Sequence, residues 1–215
     1  VQEVSNDKYL KLYRIKSNLV DFNKDTLESS LNFTHEKEDL FLGINASVYE
    51  TLKGDYEDKY EYILPELTFD KNLYNNENLG NFELQSNLKV HNYDTNKRSA
   101  FLVNDINWNS KSIYSNKFIK SEFLGKLKNI NYDTQNIEKF KDSTTNELFG
   151  ALGLLSEINF EKNQKNTLQI LTPKLLLRYA PGSMRKEKKE DGSRLNSSKA
   201  FSLNRVEDIN NFETG

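Results

Sequence analysis

The sequence is poor in the residues that usually carry metal, redox or covalent chemistry. Its 215 residues include no cysteine, which excludes disulfides, thiolate metal ligands and a cysteine nucleophile. The two histidines, His35 and His91, are far apart and have no acid or serine arrangement nearby, so we expect them to be solvated or lumen-facing rather than catalytic or metal-binding. Nucleotide-binding, metalloprotease and calcium-loop motifs are also missing. We therefore expect no enzyme activity, no catalytic residue, no cofactor and no metal.

Long hydrophobic runs are missing as well. No stretch approaches the roughly 18 apolar residues of a membrane-spanning helix, so any membrane crossing has to use strands. The chain opens at Val1 without a signal-peptide pattern and stops at Gly215 just after a strand-like segment. We interpret it as an excerpt of a longer protein.

The composition favours strands with one solvated face. Only 36% of the residues are hydrophobic and the mean hydropathy is -0.78, which by themselves would indicate disorder. The 11 tyrosines and 13 phenylalanines are too many for a solvated tail. The net charge of -2 provides no basic field for phosphate backbones, so nucleic acid is not an expected partner.

Period-2 alternation of apolar and polar residues recurs along the chain. Two regular runs, residues 27–35 and 40–48, predict a hairpin, and residues 82–90 and 100–108 predict another around the turn sequence DTNKRS. Noisier runs occupy residues 9–19, 60–69, 118–131, 147–160, 167–179 and 200–206. The pattern predicts an all-β antiparallel meander of roughly ten or eleven strands, each near the ~9 to 11 residues that cross a bilayer when tilted.

Alternation alone does not distinguish a soluble sandwich from a membrane barrel, because both have one apolar and one polar face per strand. Long polar connections at residues 132–146 and 182–199 beside a short one at 94–99 are compatible with the unequal loops of outer-membrane barrels. The second long connection contains the charge run RKEKKED, residues 185–191, which is typical of a solvated loop. From pattern alone, both architectures stay open.

The segment LTPKLLLRYAPGSM, residues 171–184, combines an apolar face with a cationic one. In an extended strand, alternate side chains point to opposite sides. One face would carry Leu171, Pro173, Leu175, Leu177 and Tyr179, and the other Thr172, Lys174, Leu176 and Arg178.

Together with FSLNRVEDINNFETG at residues 201–215, this segment resembles the barrel domain of the lipopolysaccharide (LPS) assembly protein family LptD, also called OstA. YEYILPEL at residues 60–67 resembles the family's strand with a Pro-Glu-Leu step. In the family, the first motif looks like a barrel strand running into a loop and the second like the following strand. The residues that match the two motifs are Leu171, Thr172, Pro173, Lys174, Arg178, Tyr179, Ala180, Pro181 and Gly182, and Ser202, Leu203, Asn204, Arg205 and Gly215.

The resemblance implies transport without covalent chemistry. Residues 1–215 would be a middle portion of the C-terminal transmembrane β-barrel, without the signal peptide or the periplasmic jelly-roll. The barrel would lie in the outer membrane of a Gram-negative bacterium and insert LPS into the outer leaflet, with sugars in a polar lumen. Implied partners are LPS, an LptE-like plug lipoprotein, the periplasmic Lpt bridge through the missing N-terminal domain, and the barrel-assembly machinery. The alternatives are another outer-membrane barrel, such as a porin or receptor, and a soluble β-rich carbohydrate-binding module.

Single residues have functional and ordinary interpretations. Lys174 and Arg178 are candidates to face the lumen and meet phosphate or acidic sugar, with an intramolecular carboxylate partner as the ordinary alternative. Pro65 and Pro173 each predict an edge, a bulge or a strand end, since proline cannot donate to a ladder. The aromatic residues that would suit an interfacial girdle, with plain packing as the alternative, are Tyr60, Tyr62, Trp108 and Tyr179.

Overall fold

The computed structural model describes residues 2–4, 6–18, 20–54, 58–94, 96–115, 118–164, 167–185 and 195–215. A short helix, α1 (Tyr9–Tyr13), precedes the strands and a 3-10 turn, Ser197–Lys199, follows them. The strands are β1 (Thr26–Lys37), β2 (Leu40–Thr51), β3 (Tyr60–Asn76), β4 (Gly80–Tyr93), β5 (Lys97–Asn109), β6 (Ile113–Ser115), β7 (Ile119–Gln135), β8 (Thr145–Ile158), β9 (Phe160–Gln164), β10 (Thr167–Leu171) and β11 (Lys174–Tyr179). In this part of the chain, no helix has the length and hydropathy needed to span a membrane.

Most of the strands form one sheet that follows the order of the sequence. Its order is β1-β2-β3-β4-β5-β7-β8-β11, with β6 paired to β7 beside that path. The predicted all-β antiparallel meander and its first hairpin, β1–β2, are confirmed. Because β1 and β11 are the outer strands, the sheet is open within the described residues, as expected of part of a barrel.

The strands β8 to β11 form one long interrupted hairpin. Lys174 pairs with Glu157 and Leu171 pairs with Phe160, so the register is the same on both sides of the break between β10 and β11. Pro173 lies in that break, where its carbonyl accepts a bond from the Ile158 N–H. The single strand predicted at residues 167–179 is therefore two, and the proline lies between strands as predicted.

Two predicted strands are wrong. Residues 9–13 form α1, in which Leu10 packs against Leu27 and Leu52, and Arg14 ends the helix with a φ of 50°. Residues 200–206 form turns, with one isolated bridge between Leu195 and Val206. Here Ser202 bonds through its hydroxyl to the Lys199 and Asn204 carbonyls, which satisfies the backbone without a ladder.

The structure divides into two units, and five of the strands contribute to both, β8 with only its first residue in unit 1. Unit 1 comprises Val1–Phe69, Asn87–Leu102 and Asn131–Thr145, and unit 2 comprises Asp70–Ser86, Val103–Ile130 and Asn146–Gly215. In unit 1, Phe101, Tyr132 and Phe140 form an aromatic cluster with ring centroids 4.9 to 5.5 Å apart. A second apolar cluster of unit 1 forms around Leu10, Leu27 and Leu52.

Pro65 lies inside β3, at a change in the side-chain alternation of unit 1. Glu61 pairs with His91 at 2.6 Å and Glu66 pairs with Lys89 at 3.2 Å, and the two partners lie on the same face of β4. Two residues five positions apart share a face only if the alternation shifts by one residue between them. Pro65 therefore marks a bulge in an interior strand rather than an edge.

In unit 2 the two faces of the hairpin β8–β11 differ sharply. The first, which we call the apolar face, carries Leu152 opposite Tyr179 and Leu154 opposite Leu177. Leu152, Leu177 and Tyr179 are 60%, 58% and 67% exposed. The opposite face, which we call the polar face, carries Gly153 opposite Arg178 and is covered by residues 195–215, which we call the C-terminal segment.

Candidate functional site

The polar face continues from the hairpin β8–β11 onto β5 and β7 of unit 2, where charged side chains form a network. Lys126 and Lys128 of β7 both pair with Asp105 of β5, at 3.0 and 3.1 Å. Lys126 also donates to the Asn107 side chain at 2.7 Å. Alternation places all four residues on one face, because 105 and 107, like 126 and 128, are two positions apart. The attraction of two ammonium groups offsets the desolvation cost of burying the Asp105 carboxylate.

Lys128 is the most deeply buried charged residue described. It is 1% exposed, and its ammonium group also donates to the Ile209 carbonyl at 2.8 Å. A buried lysine is stable only when its charge is paired and its donors are used. Asp105 supplies the charge partner and the C-terminal segment supplies an acceptor, so Lys128 joins the sheet to the segment.

Arg178 of β11 holds the same segment by its backbone. Its Nε donates to the Leu203 carbonyl at 2.8 Å and its Nη1 to the Gly215 carbonyl at 2.9 Å, while Nη2 donates to the Glu213 carbonyl. The guanidinium carbon also lies 6.0 Å from the centre of the Phe212 ring, within cation-π range. The three carbonyls are bound by three different nitrogens of one planar guanidinium, whereas a lysine has a single nitrogen from which to donate.

Arg185 provides a third cationic contact. It pairs with Glu147 of β8 at 3.0 Å and donates to the Asn210 carbonyl. Its side chain is only 12% exposed, so the prediction that the run 185–191 is a solvated loop is wrong for Arg185. Residues 186–191 lie outside the described residues.

Below these contacts lies an apolar core. Ala151, Ala180, Leu203 and Phe212 are buried together, and the Phe149 and Phe212 rings stack at 5.6 Å. Gly153 leaves room for the segment, since a Cβ there would lie 2.7 Å from the Leu203 side chain. Docking therefore combines apolar burial with cation-to-carbonyl bonds.

The segment is also folded on itself. Arg205 binds Glu213 through two hydrogen bonds, one of 2.8 Å from its Nε, and the Asn204 side chain accepts from the Glu213 N–H. The Arg205 hydrogen bond holds the pKa of the Glu213 carboxyl below its ordinary value, although burial acts in the opposite direction. The same hydrogen bond raises the pKa of Arg205.

Between the segment and the polar face lies a cavity of about 630 Å³, which we call the polar cavity. Its strand walls include Gln85 of β4, Asn107 of β5 and Glu122 of β7, and its segment wall includes Phe201 and Asp208. This volume is within the range of about 300 to 1,000 Å³ that is usual for ligand pockets.

Lys174 lies on the polar side of β11 in an ionic chain. It pairs with Glu157 at 3.2 Å, and Lys120 joins Glu157 to Glu122 at 3.3 and 2.9 Å. Lys174 thus has an intramolecular carboxylate partner, as the alternative to a phosphate-binding role predicted. The partners of Arg178 are instead main-chain carbonyls.

The apolar face of unit 2 also contains a groove of about 410 Å³. Its walls include Ile106, Trp108, Leu152 and Tyr179. Trp108 donates to the Leu79 carbonyl at 2.7 Å and stacks on the Phe82 ring, so this girdle candidate combines a polar contact with an apolar body.

A family model named "LptD: LPS transport system D" matches residues 1–212. The chain belongs to the LptD family. The match covers nearly the whole chain, and it assigns this LptD-family member to LPS transport and assembly. A comparison with curated proteins gives no significant match.

In this LptD-family chain the two motifs meet in space. The first motif forms the end of β10, the break, β11 and the residues that follow it, and the second lies in the segment that folds back onto β11. Arg178, Ala180, Leu203 and Arg205 make the docking contacts described above. The pairing of RYAPG with SLNR is therefore a fold-back contact rather than two adjacent strands.

Sequence reasoning missed the residues that hold the site together. Lys128, Asp105 and Arg185 lie in ordinary-looking strand or loop sequence, where a single charge on an alternating strand gives no sign of burial. His91, which was expected to be solvated or lumen-facing, pairs with Glu61 and stacks on Tyr93 at 4.3 Å, contacts that the sequence pattern did not predict. Among the described residues, no group of three or more His, Asp or Glu side chains is arranged to hold a metal.

Proposed function

We propose that the chain is part of the C-terminal barrel, residues 1–215, of an outer-membrane LPS translocon that inserts LPS into the outer leaflet. The arrangement of the two faces carries this proposal. Leucines and Tyr179 are exposed on the apolar face, whereas Asp105, Lys126 and Lys128 are covered on the polar face. A soluble sandwich buries its apolar face against a second sheet, while a barrel turns it toward lipid.

Exposed apolar residues also occur in unit 1. Leu31 and Phe33 of β1 are 75% and 56% exposed, on a strand whose alternate positions are polar. An apolar surface of this extent is stable against hydrocarbon and unfavourable against water. Exposed apolar residues therefore support a lipid-facing surface on strands of both units.

The proposed partners follow from family membership. LPS is the cargo, an LptE-like lipoprotein would plug the barrel, the periplasmic Lpt bridge would deliver LPS through an N-terminal domain, and the barrel-assembly machinery would insert the strands. The protein would act by binding and passage, without an enzymatic step.

Spin labels on opposite faces of β11 test the membrane orientation. Leu177→Cys and Lys174→Cys are both exposed positions, on the apolar and polar faces, and the chain has no cysteine of its own. In the full-length protein in bilayers, with any other cysteines replaced by serine, the label at 177 should collide mainly with oxygen. The label at 174 should collide mainly with a water-soluble nickel chelate. Equal access of the chelate to both positions would overturn the orientation.

Surface LPS tests the transport role. In cells depleted of the native protein, full-length Leu177→Arg should assemble poorly and lower surface LPS, because arginine on a lipid-facing strand costs about 2–4 kcal/mol at the bilayer midplane. Lys174→Arg, which keeps the charge, is the matched control and should restore surface LPS. Normal surface LPS in depleted cells without any complementing protein would refute the role.

A further inference from the structure

We infer that the groove of about 410 Å³ on the apolar face, which we call the apolar groove, binds one bilayer glycerophospholipid. An acyl chain of the lipid lies in the groove, and the ester oxygens meet two asparagine amides just beyond one end of it. The inference rests on the proposed function, which turns the apolar face toward hydrocarbon. It adds that one lipid is held at a fixed place on that face.

Two glycines on neighbouring strands form the depression. Gly125 of β7 and Gly150 of β8 both line the groove. A Cβ at Gly125 would lie 3.0 Å from the Trp108 ring on one side and 3.6 Å from a Leu152 methyl group on the other. This gap admits about one hydrocarbon chain, whereas a helix is about 10–12 Å across. A chain in the gap gains dispersion contacts with both walls.

Two polar groups of the groove lining are already bound elsewhere. The indole N–H of Trp108 donates to the Leu79 carbonyl at 2.7 Å. The ammonium of Lys126 lies on the polar face, where it pairs with Asp105 at 3.0 Å. The groove therefore offers mainly aliphatic and aromatic surface. An extended protein segment would bring backbone N–H and C=O groups that this surface does not bind, and an acyl chain has no such groups.

Amide side chains follow the groove on two of its strands. Asn104 lies two positions from Ile106 on β5, and Asn129 lies two positions from Leu127 on β7, so both amides are on the apolar face. Asn104 accepts from the Ser86 hydroxyl at 2.8 Å and donates to the Asn129 side chain at 3.5 Å. An asparagine amide has two N–H donors, and Asn104 uses one of them within the described residues. An ester oxygen accepts without donating and so complements the second.

Neutral amides at this end favour a zwitterionic phospholipid over LPS. LPS presents phosphate groups, which proteins bind best with arginine or lysine. Among the described residues that line the groove, Lys126 is the one cation, and its ammonium lies on the opposite face. The ester carbonyls of a phospholipid are uncharged acceptors that an amide N–H can bind. Phosphatidylethanolamine therefore fits the groove and its amide end better than LPS does.

Native mass spectrometry of the full-length protein, extracted in mild detergent from phosphatidylethanolamine bilayers, tests the inference. The wild type should retain one phospholipid. Gly150→Leu should lower the retained fraction roughly tenfold, because the new side chain occupies the groove. Ala46→Leu is the matched control, since it adds the same side chain opposite the exposed Leu31 on the β1–β2 hairpin, and retention should be unchanged.

Asn104→Leu tests the amide end separately. The variant keeps the size of the side chain and removes its donor, so retention should fall about 2- to 10-fold, the effect of losing one hydrogen bond. Asn163→Leu, on the exposed strand β9, should retain the lipid as the wild type does. Electrophoretic migration without heating shows which variants are folded. Weaker retention by folded Asn104→Leu supports the site even if Gly150→Leu does not fold.

The outcomes separate this inference from the transport proposal. The lipid assignment is overturned if the wild type retains no phospholipid, if Gly150→Leu and Ala46→Leu retain equal amounts, or if LPS at the same concentration replaces the phospholipid. A retained polypeptide in place of the lipid would overturn it as well. If the label at position 177 still collides mainly with oxygen and surface LPS in depleted cells still depends on the protein, the transport proposal stands in each of these cases.

Discussion

Arg178 and Leu203 are joined by a hydrogen bond of 2.8 Å from the guanidinium Nε to the main-chain oxygen. The bond links β11 to a turn 25 residues later in the chain. Since the acceptors at residues 203, 213 and 215 are all main-chain carbonyls, the arginine recognises the path of the segment rather than its side chains. Substitution at Arg178 therefore tests the docking of the whole segment.

Arg178→Lys should release the C-terminal segment while keeping the charge. Lysine is a point donor and cannot bind three separate carbonyls from one planar group. A hydrogen bond to a charged group contributes about 1.5–3 kcal/mol, so the loss of two should raise local opening of residues 195–215 strongly. Hydrogen exchange by mass spectrometry measures it. Lys174→Arg on the same face should leave exchange unchanged, and unaltered exchange in Arg178→Lys would contradict the clamp.

The effects of substituting Lys128 and Asp105 on the free energy of unfolding should be strongly coupled. Lys128→Met leaves Asp105 with Lys126 alone and the Ile209 carbonyl without its donor, which should destabilise the protein by roughly 3–5 kcal/mol if the remaining charge stays buried. The double variant Lys128→Met, Asp105→Asn should recover part of that loss, because the uncompensated carboxylate is gone. Thermal unfolding of the wild type, the two single variants and the double variant in detergent measures the stabilities for this double-mutant cycle. Simple additivity of the two single changes would show that the pair is not coupled.

Gly153→Val should displace Leu203. A Cβ at position 153 would lie 2.7 Å from the Leu203 Cδ2 and 3.3 Å from the Leu177 carbonyl. The leucine side chain is buried and has little room to move, so overpacking should cost about 1–3 kcal/mol and loosen the segment. Protease cleavage within residues 195–215 reports the change. Gly150→Val is the matched control on the same strand, since a Cβ there meets nothing nearer than 3.8 Å.

Alternation predicted the strands and faces of this fold because it reflects local geometry. The apolar and polar faces of β11 follow from counting by two from Leu175, and the β1–β2 hairpin follows from two regular runs. Pro65 was identified as a break in a ladder, although its place inside a nine-stranded sheet depends on partners that a local pattern does not specify.

The strand predicted at residues 200–206 is wrong because the apolar residues there do not follow the period of a strand. Phe201 is exposed whereas Leu203, two positions later, is buried, and Leu203 is buried by docking onto β8 and the end of β11. The turn is closed by the Ser202 hydroxyl, and its distant partner Arg178 cannot be found from neighbouring residues. The sequence motifs identified Arg178, Leu203 and Arg205 as residues of interest, but they did not predict that the two motifs contact each other.

Acidification should loosen the C-terminal segment through Glu213. The pKa of this carboxyl is lowered chiefly by the Arg205 hydrogen bond, so the ionised form is favoured in the folded segment. A lowered carboxyl pKa contributes stability above the ordinary value near 4.5, and that contribution is lost as pH falls through the lowered value. The protection factors of residues 195–215, which correct the exchange rate for the intrinsic rate at each pH, should therefore be constant from neutral pH to about pH 5 and should fall below about pH 4.

Glu213→Gln isolates this pair from the other carboxylates of the protein. The variant should exchange faster at neutral pH, because the amide keeps one acceptor but loses the charge that Arg205 binds. Since both proteins share every other carboxyl, the ratio of their protection factors should approach one as pH falls below about 4. Glu161→Gln, on the exposed strand β9, should follow the wild-type curve. A ratio of protection factors between Glu213→Gln and wild type that stays constant from pH 7 to pH 3 would show that the charge of Glu213 does not hold the segment.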